Sequence, residues 1–242
     1  PIIKKKGIYF NTSRRAAEVI KYAANAFLAT KITFINEISN LCEQLNVDVT
    51  DVSVGIGTDE RIGARFLRAG PGYGGSCFPK DTRALLSTSK KFKSNLSIVN
   101  STIYSNDNRY KYLLTKIEEI LNNNLKSKKI TFLGVTFKAG TDDMRYSASL
   151  KLIPYLIKKG SKVSYYEPTG IKNIFDKKKV TYFNNIKDAC KNSDLLIIHT
   201  EWNEFKQLNF NRLNNKKKFK IYDLRNLYSP LKMKNTNINT IV

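Results

Sequence analysis

The sequence predicts an α/β protein in two parts, an all-helical first part followed by a parallel, doubly wound α/β second part. Three observations carry this. A stretch from Thr12-Ser13 to about Leu45 has helical character and is apolar on more than one face. Further helical stretches follow it with no strand pattern between them. After Lys126 short β-branched apolar runs alternate with helical ones, the signature of strand–helix–strand units.

Thr12-Ser13 can cap the long first helix. Within it Ala23, Ala24, Ala26 and Ala29 allow close helix packing, so it is expected inside a domain or at a subunit interface. A short helix is expected over Val49–Gly55. Pro79 suits the start of a helix reaching about Phe92, and Leu96–Leu121 forms another. Strands are expected at Lys129–Val135, Lys162–Tyr166, Val180–Phe183, Asp194–Thr200 and Phe219–Leu224. Helices at Ser147–Lys159 and Ile186–Lys191 fall between them. The boundary between the parts is expected between Asn122 and Lys129.

Of 242 residues, 42 are Lys or Arg and 20 Asp or Glu, a formal charge of +22. The bases are 32 Lys and 10 Arg, dispersed along the chain, and Asn numbers 25. Arginine is the usual base reader, so the pattern suits a solvated surface and an anionic small-molecule ligand better than a nucleic-acid groove. Three cysteines, Cys42, Cys77 and Cys190, do not make a disulfide framework. A lone histidine, His199, leaves no metal set. No apolar run is long enough for a membrane helix, and no segment reads as a signal peptide. A cytoplasmic setting is expected.

The segment Phe66–Asp81 (FLRAGPGYGGSCFPKD) is the richest in chemistry. Its glycines admit positive φ and close approach of a ligand. Cys77 precedes a helix start, and Lys80 and Asp81 stand in the first turn, an arrangement suited to a nucleophilic cysteine. A buried structural cysteine after a glycine-rich turn is an equally good reading of these residues alone. Lys21 and Asn25 share a face of the first helix, suited to an oxyanion or a sugar hydroxyl. Lysine snorkelling at the surface is the plainer alternative. Lys138 and Arg145 follow a strand end, and Arg225 follows another, at the edge where open α/β sheets bind ligands. The solvated-loop reading of these cations stays open. Gly55-Ile-Gly57-Thr-Asp-Glu60 lacks both the last glycine and the preceding strand of a dinucleotide fingerprint.

These stretches resemble the UDP-glucose/GDP-mannose dehydrogenase family. The matching segments are residues 17–38, 61–81, 132–145, 200–205 and 223–226. The run Gly-Gly-Ser-Cys-Phe-Pro-Lys-Asp is highly specific. The resemblance implies residues 1–10 as the remnant of a preceding linker, 11–125 as a central helical dimerisation and catalytic domain, and 126–242 as a Rossmann-like UDP-sugar-binding domain. It implies NAD-dependent oxidation of UDP-glucose to UDP-glucuronate through a thiohemiacetal and a thioester on Cys77. Lys21, Asn25 and Asp81 assist that cysteine. Arg61, Phe66, Leu67, Arg68, Ala69, Gly70, Gly74, Phe137, Lys138 and Arg225 would contact substrate, with Lys21 and Asn25. Lys80 and Arg145 would approach NAD, and no metal is implied. The partners implied are UDP-glucose, a second copy of the chain and a separate N-terminal NAD-binding chain; neither nucleic acid nor a membrane is expected. Fragment, split-gene product and decayed copy remain open origins. A non-catalytic UDP-sugar-binding remnant and a GDP-mannose or UDP-amino-sugar enzyme remain open functions.

Overall fold

The computed structural model describes residues 9–216 and 219–228, with the backbone of 239–241. Four helices come first: α1 (Arg14–Leu45), α2 (Val49–Gly57), α3 (Phe78–Lys91) and α4 (Ser97–Ile120). Ser13 caps α1, its hydroxyl accepting from Ala16 N at 3.2 Å, and Asn46 closes it in the left-handed conformation. The second part runs β1 (Lys129–Leu133), α5 (Ser149–Lys158), β2 (Lys162–Tyr166), β3 (Val180–Phe183), α6 (Ile186–Cys190), β4 (Leu195–Ile198), a 3₁₀ turn at Asn203–Phe205, α7 (Phe210–Leu213), β5 (Lys220–Asp223) and β6 (Asn239–Ile241). All six strands are parallel, in the order β3-β2-β1-β4-β5-β6. This is the doubly wound arrangement, and its order reverses between β1 and β4.

The expected elements are all present: β2 and β3 keep their ends, β1, β4 and β5 lose one or two residues at an end because apolar runs outlast the ladder that uses them, α2 runs on to Gly57 and α3 begins at Phe78. The sequence reading omitted the turn at 203–205, α7 and β6. All are short, and β6 lies in an Asn-rich stretch. Cys190, expected on a short surface helix, is instead fully buried. α6 turns Ala189 and Cys190 inward, and Cys190 joins the sheet's Leu196–Ile198 face. Burial pushes its thiol up to about 12.

Two apolar clusters cover the two faces of the sheet. One gathers Phe132, Leu152, Ile153, Leu156, Tyr165 and Ile197, and the other Leu133, Leu196, Ile198 and Phe205. Leu113, Leu114, Ile117 and Ile120 of α4 belong to the first, so the C-terminal half of that helix is core to the α/β part. The helical part has a smaller cluster of its own, Ile35, Cys42, Val49, Leu67 and Ala69. On α1 the apolar side chains Ile20, Phe27, Phe34, Leu41 and Leu45 stay exposed in the single chain. The apolar faces noted in the sequence are therefore not all covered by this domain.

Candidate active site

α1 and α3 pack on one another, and the contact brings together residues 56 positions apart. Asp81, one turn into α3, is fully buried. Its Oδ2 accepts from Asn25 Nδ2 at 2.7 Å and lies 3.5 Å from Lys21 Nζ, while its Oδ1 accepts from Lys80 Nζ at 2.6 Å. Burial alone would raise the Asp81 carboxyl. The Lys80 and Asn25 hydrogen bonds and the Lys21 charge outweigh it and hold the group below the usual carboxylate range. Both lysine side chains remain largely exposed, so their ammonium groups face solvent and any arriving anion.

Cys77 stands at the N-cap of α3, exposed, and makes no side-chain capping bond. Its sulfur has Ser76 Oγ at 3.6 Å. The Cys77 carbonyl accepts from Asp81 N at 2.8 Å, which sets the two residues one turn apart. A charged Cys77 sulfur would raise the pKa values of both Lys80 and Arg145, so both cations are within its field, though each is raised chiefly by its own carboxylate, Asp81 or Asp143. Arg145 is doubly bonded to Asp143, at 2.9 and 2.8 Å.

The glycine-rich loop lies where the two parts of the molecule meet. Gly75 has φ +78, and a Cβ there would come within 2.5 Å of the Phe137 ring. Gly75 N donates to Arg145 O at 2.7 Å, and a Cβ on Gly74 would meet Tyr146 O at 2.8 Å. Gly70 N donates to Asn36 Oδ1 at 2.8 Å, and a Cβ on Gly70 would lie 3.2 Å from Arg225 Nη1. Leu67 and Ala69 turn into the helical core, so only their backbone can meet a ligand; Phe66 and Arg68 are exposed.

At the reversal point of the sheet, Arg225 crosses from the end of β5 to the loops after β1 and β4. It donates to Phe137 O at 2.6 Å and to His199 O at 2.8 Å, and Glu201 Oε2 lies 2.9 Å from its Nε as an ion contact. Lys138 is exposed beside the Phe137 ring. The structure thus gathers Lys21, Asn25, Cys77, Lys80 and Asp81 in one cluster, and Gly70, Gly74, Phe137 and Arg225 along an adjoining seam. Arg61 is bonded instead to Asp59, on the turn after α2.

Sequence reasoning passed over Asn36, Asn106, Arg109 and Glu201. Asn36 left a signal, an amide inside the apolar run of α1. Glu201 left another, a carboxylate directly after a buried strand. A cleft of about 600 Å³ opens between α1 and α4; it is lined by Asn36, Asn106 and Arg109 among others and by none of the Cys77 cluster.

Lys80 and Arg145 suit the phosphates of a dinucleotide approaching Cys77, being exposed and cationic. A cradle for one is not formed at the β1 turn: Gly134 there is filled by Thr200, whose Cβ would sit 2.4 Å from an added Cβ.

Residues 15–108 match the central domain, and residues 131–230 the UDP binding domain, of the UDP-glucose/GDP-mannose dehydrogenase family. Carrying both domains in order, the chain belongs to that family. It is 43% identical over 231 residues to the UDP-glucose 6-dehydrogenase of Rickettsia prowazekii (strain Madrid E), covering 94% of this chain and 53% of that protein. Among solved structures it is similar to a UDP-glucose dehydrogenase from Pyrobaculum islandicum, with TM-score 0.78 and 30% identity over 89% of this chain and 49% of that one. It is also similar to an NDP-N-acetyl-D-galactosaminuronic acid dehydrogenase from Methanosarcina mazei Go1, with TM-score 0.82 and 26% identity over 95% and 50%. The chain spans about half the length of the curated relatives it matches.

Proposed function

We propose that the chain forms the substrate side of an NAD-dependent UDP-glucose 6-dehydrogenase, which takes sugar C6 from alcohol to carboxylate and so makes UDP-glucuronate. One observation carries the reading. An exposed cysteine, uncommitted at its helix cap, stands one turn before a buried aspartate that collects two lysines and an asparagine. The names of the relatives support UDP-glucose as the sugar nucleotide.

The Cys77 sulfur adds to the C6 aldehyde, and the C=O π pair moves to oxygen. Lys21, tethered by Asp81, meets that oxyanion as a preorganised charge, and Asn25 supplies a hydrogen bond beside it. NAD, when bound, supplies the hydride acceptor for both oxidations. After the second, C6 is a thioester on Cys77. Water attacks it; the C–S bond breaks, and the thiol and the carboxylate are released, with the buried Asp81 acting through Lys21. The nucleotide lies in the crevice at the sheet's reversal point, against Phe137, Lys138 and Arg225. Phe66, Arg68 and the backbone of Leu67–Gly70 follow the sugar-phosphate, with Gly74 packing the loop onto Phe137.

The exposed stripe Ile20, Phe27, Phe34, Leu41 and Leu45 supports a dimer built on α1, with Arg61 presented to the partner's substrate. Light scattering at micromolar concentration should report a dimer; a monomer rejects it.

Alkylation of the purified chain tests the central assignment. Iodoacetamide at neutral pH should label Cys77 first, because Cys42 and Cys190 are buried, and UDP-glucose should slow that labelling. First labelling at another cysteine, or no protection by UDP-glucose, rejects the reading and favours a chain without a sugar site at Cys77.

A further inference from the structure

The glycine-rich loop is held from behind by three polar side chains, and we infer that Asn36, Asn106 and Arg109 are positioning residues that set the loop for the sugar end of the substrate. The inference rests on the nucleotide-sugar reading above and adds residues that it did not use.

Both sides of the Gly70 residue are engaged. Its N–H goes to Asn36 Oδ1 at 2.8 Å, and its carbonyl accepts from Arg109 Nε at 2.5 Å. Arg109 is itself fixed to α1 through Asn36 O and Asn40 Oδ1, both at 3.0 Å, and Ser39 Oγ at 3.3 Å. At Tyr73, three residues on from Gly70, Asn106 copies the pattern of a strand partner. Its Oδ1 accepts from Tyr73 N at 2.8 Å and its Nδ2 donates to Tyr73 O at 3.1 Å. Gly72, between the two anchors, has φ +116 and would place a Cβ 2.8 Å from Asn106 Oδ1, so a side chain at 72 would displace the anchor. The segment from Gly70 to Tyr73 therefore has its conformation imposed by α1 and α4.

The arrangement does not serve stability alone. Asn36 is buried, and its Nδ2 has no hydrogen-bond partner. An apolar side chain at 36 would remove that unpaired donor but would leave the buried Gly70 N–H without its acceptor. Keeping the amide means keeping its Oδ1 on Gly70 N, whose Cα faces Arg225 across the seam. Preorganising a binding loop at some cost in stability is the pattern expected where the loop meets a ligand.

Two variants of the full chain test this, Asn36→Leu and Asn106→Ala, with Asn106→Asp as the conservative control. Hydrogen exchange by NMR reads the anchors directly. Asn36→Leu should speed exchange at Gly70 N at least tenfold, and Asn106→Ala should do the same at Tyr73 N. Asn106→Asp keeps the acceptor and should hold Tyr73 N near the parent rate. Melting temperature should fall modestly in Asn36→Leu, because the buried Gly70 N–H loses its acceptor. Calorimetry should show UDP-glucose bound about tenfold more weakly by both variants, with UDP within about threefold of the parent. A lowered melting temperature with parent-like loop exchange and a parent-like ratio of UDP-glucose to UDP affinity would overturn the inference and leave these residues purely structural. A parent chain that binds neither nucleotide would instead overturn the function reading, and the exchange rates alone would then decide the anchors.

Discussion

The helical part and the α/β part are built on different principles. The sheet is closed on both faces by apolar clusters, and β4 is buried along its whole length. The helical part has five buried apolar residues in its own cluster and exposes Phe27 at 65%, Phe34 at 49% and Leu41 at 50%. It is held as much by polar contacts: Asp81 with three partners, Arg109 with four, Asn106 with Tyr73 twice. A core finished by its own chain can carry a binding crevice as a by-product of sheet topology. A unit left unfinished can devote its packed surface to a site, and it needs a neighbour to cover the rest.

Substitutions in the two parts should separate accordingly. Phe132→Ala, in the centre of the sheet core, should cost about 3–5 kcal/mol in denaturant unfolding. Phe27→Ala should change monomer stability by less than about 0.5 kcal/mol and weaken only the proposed dimer. A large monomer effect at Phe27 would break the contrast.

Two glycines with the same backbone sharpen it. Gly134 and Gly75 have φ +79 and +78, but a Cβ meets the buried Thr200 in one case and the half-buried Phe137 ring in the other. Gly134→Ala should cost about 3 kcal/mol, strain plus a clash that cannot relax. Gly75→Ala should cost about half as much, because the ring can swing aside, and equal losses by thermal unfolding would refute this.

The smallest effect is a matter of pH. His199 is fully buried, and burial, with the Arg225 charge, lowers its pKa to about 3. The unfolded chain therefore takes up a proton near pH 6.5 that the folded chain refuses, and the stability present above that pH is lost as pH falls toward 3. Glu167, raised by burial, works in the opposite sense as it protonates, so the informative quantity is a difference between proteins. From pH 6.5 to 5 the parent should lose about 1.4 kcal/mol per pH unit more than His199→Gln. Parallel curves would show that the imidazole is hydrated in the native state.

Much of this was legible in residues. Strand runs such as Asp194–Thr200 announce themselves because a strand buried on both faces has no polar side to hide it. The Cys77, Lys80 and Asp81 grouping is legible because it is local to one helix start. Lys21 and Asn25 are legible as a pair, but a link to Asp81 comes only through the family resemblance, since that contact spans more than fifty residues and depends on how α1 and α3 cross. Arg109 and Asn106 are invisible for a related reason. On an amphipathic helix they read as an ordinary wetted face, and only the fold shows that a loop backbone lies against them. Arg225 reads as a free phosphate ligand, whereas much of its guanidinium is engaged by Phe137, His199 and Glu201.

α4 runs from beside the glycine-rich loop into the core of the sheet. Its 24 residues make a strut of about 36 Å. Near its middle Asn106 and Arg109 grip the loop, and from Leu113 onward it is embedded in the sheet's core. A single unbroken rod set in both masses leaves no joint between them. Swinging the sheet against the loop would have to bend that rod or tear Gly75 from Arg145 and Gly70 from Arg109. The two walls of the seam therefore turn as one piece, and a thermal opening of it would register as local melting of α4 rather than as hinge motion.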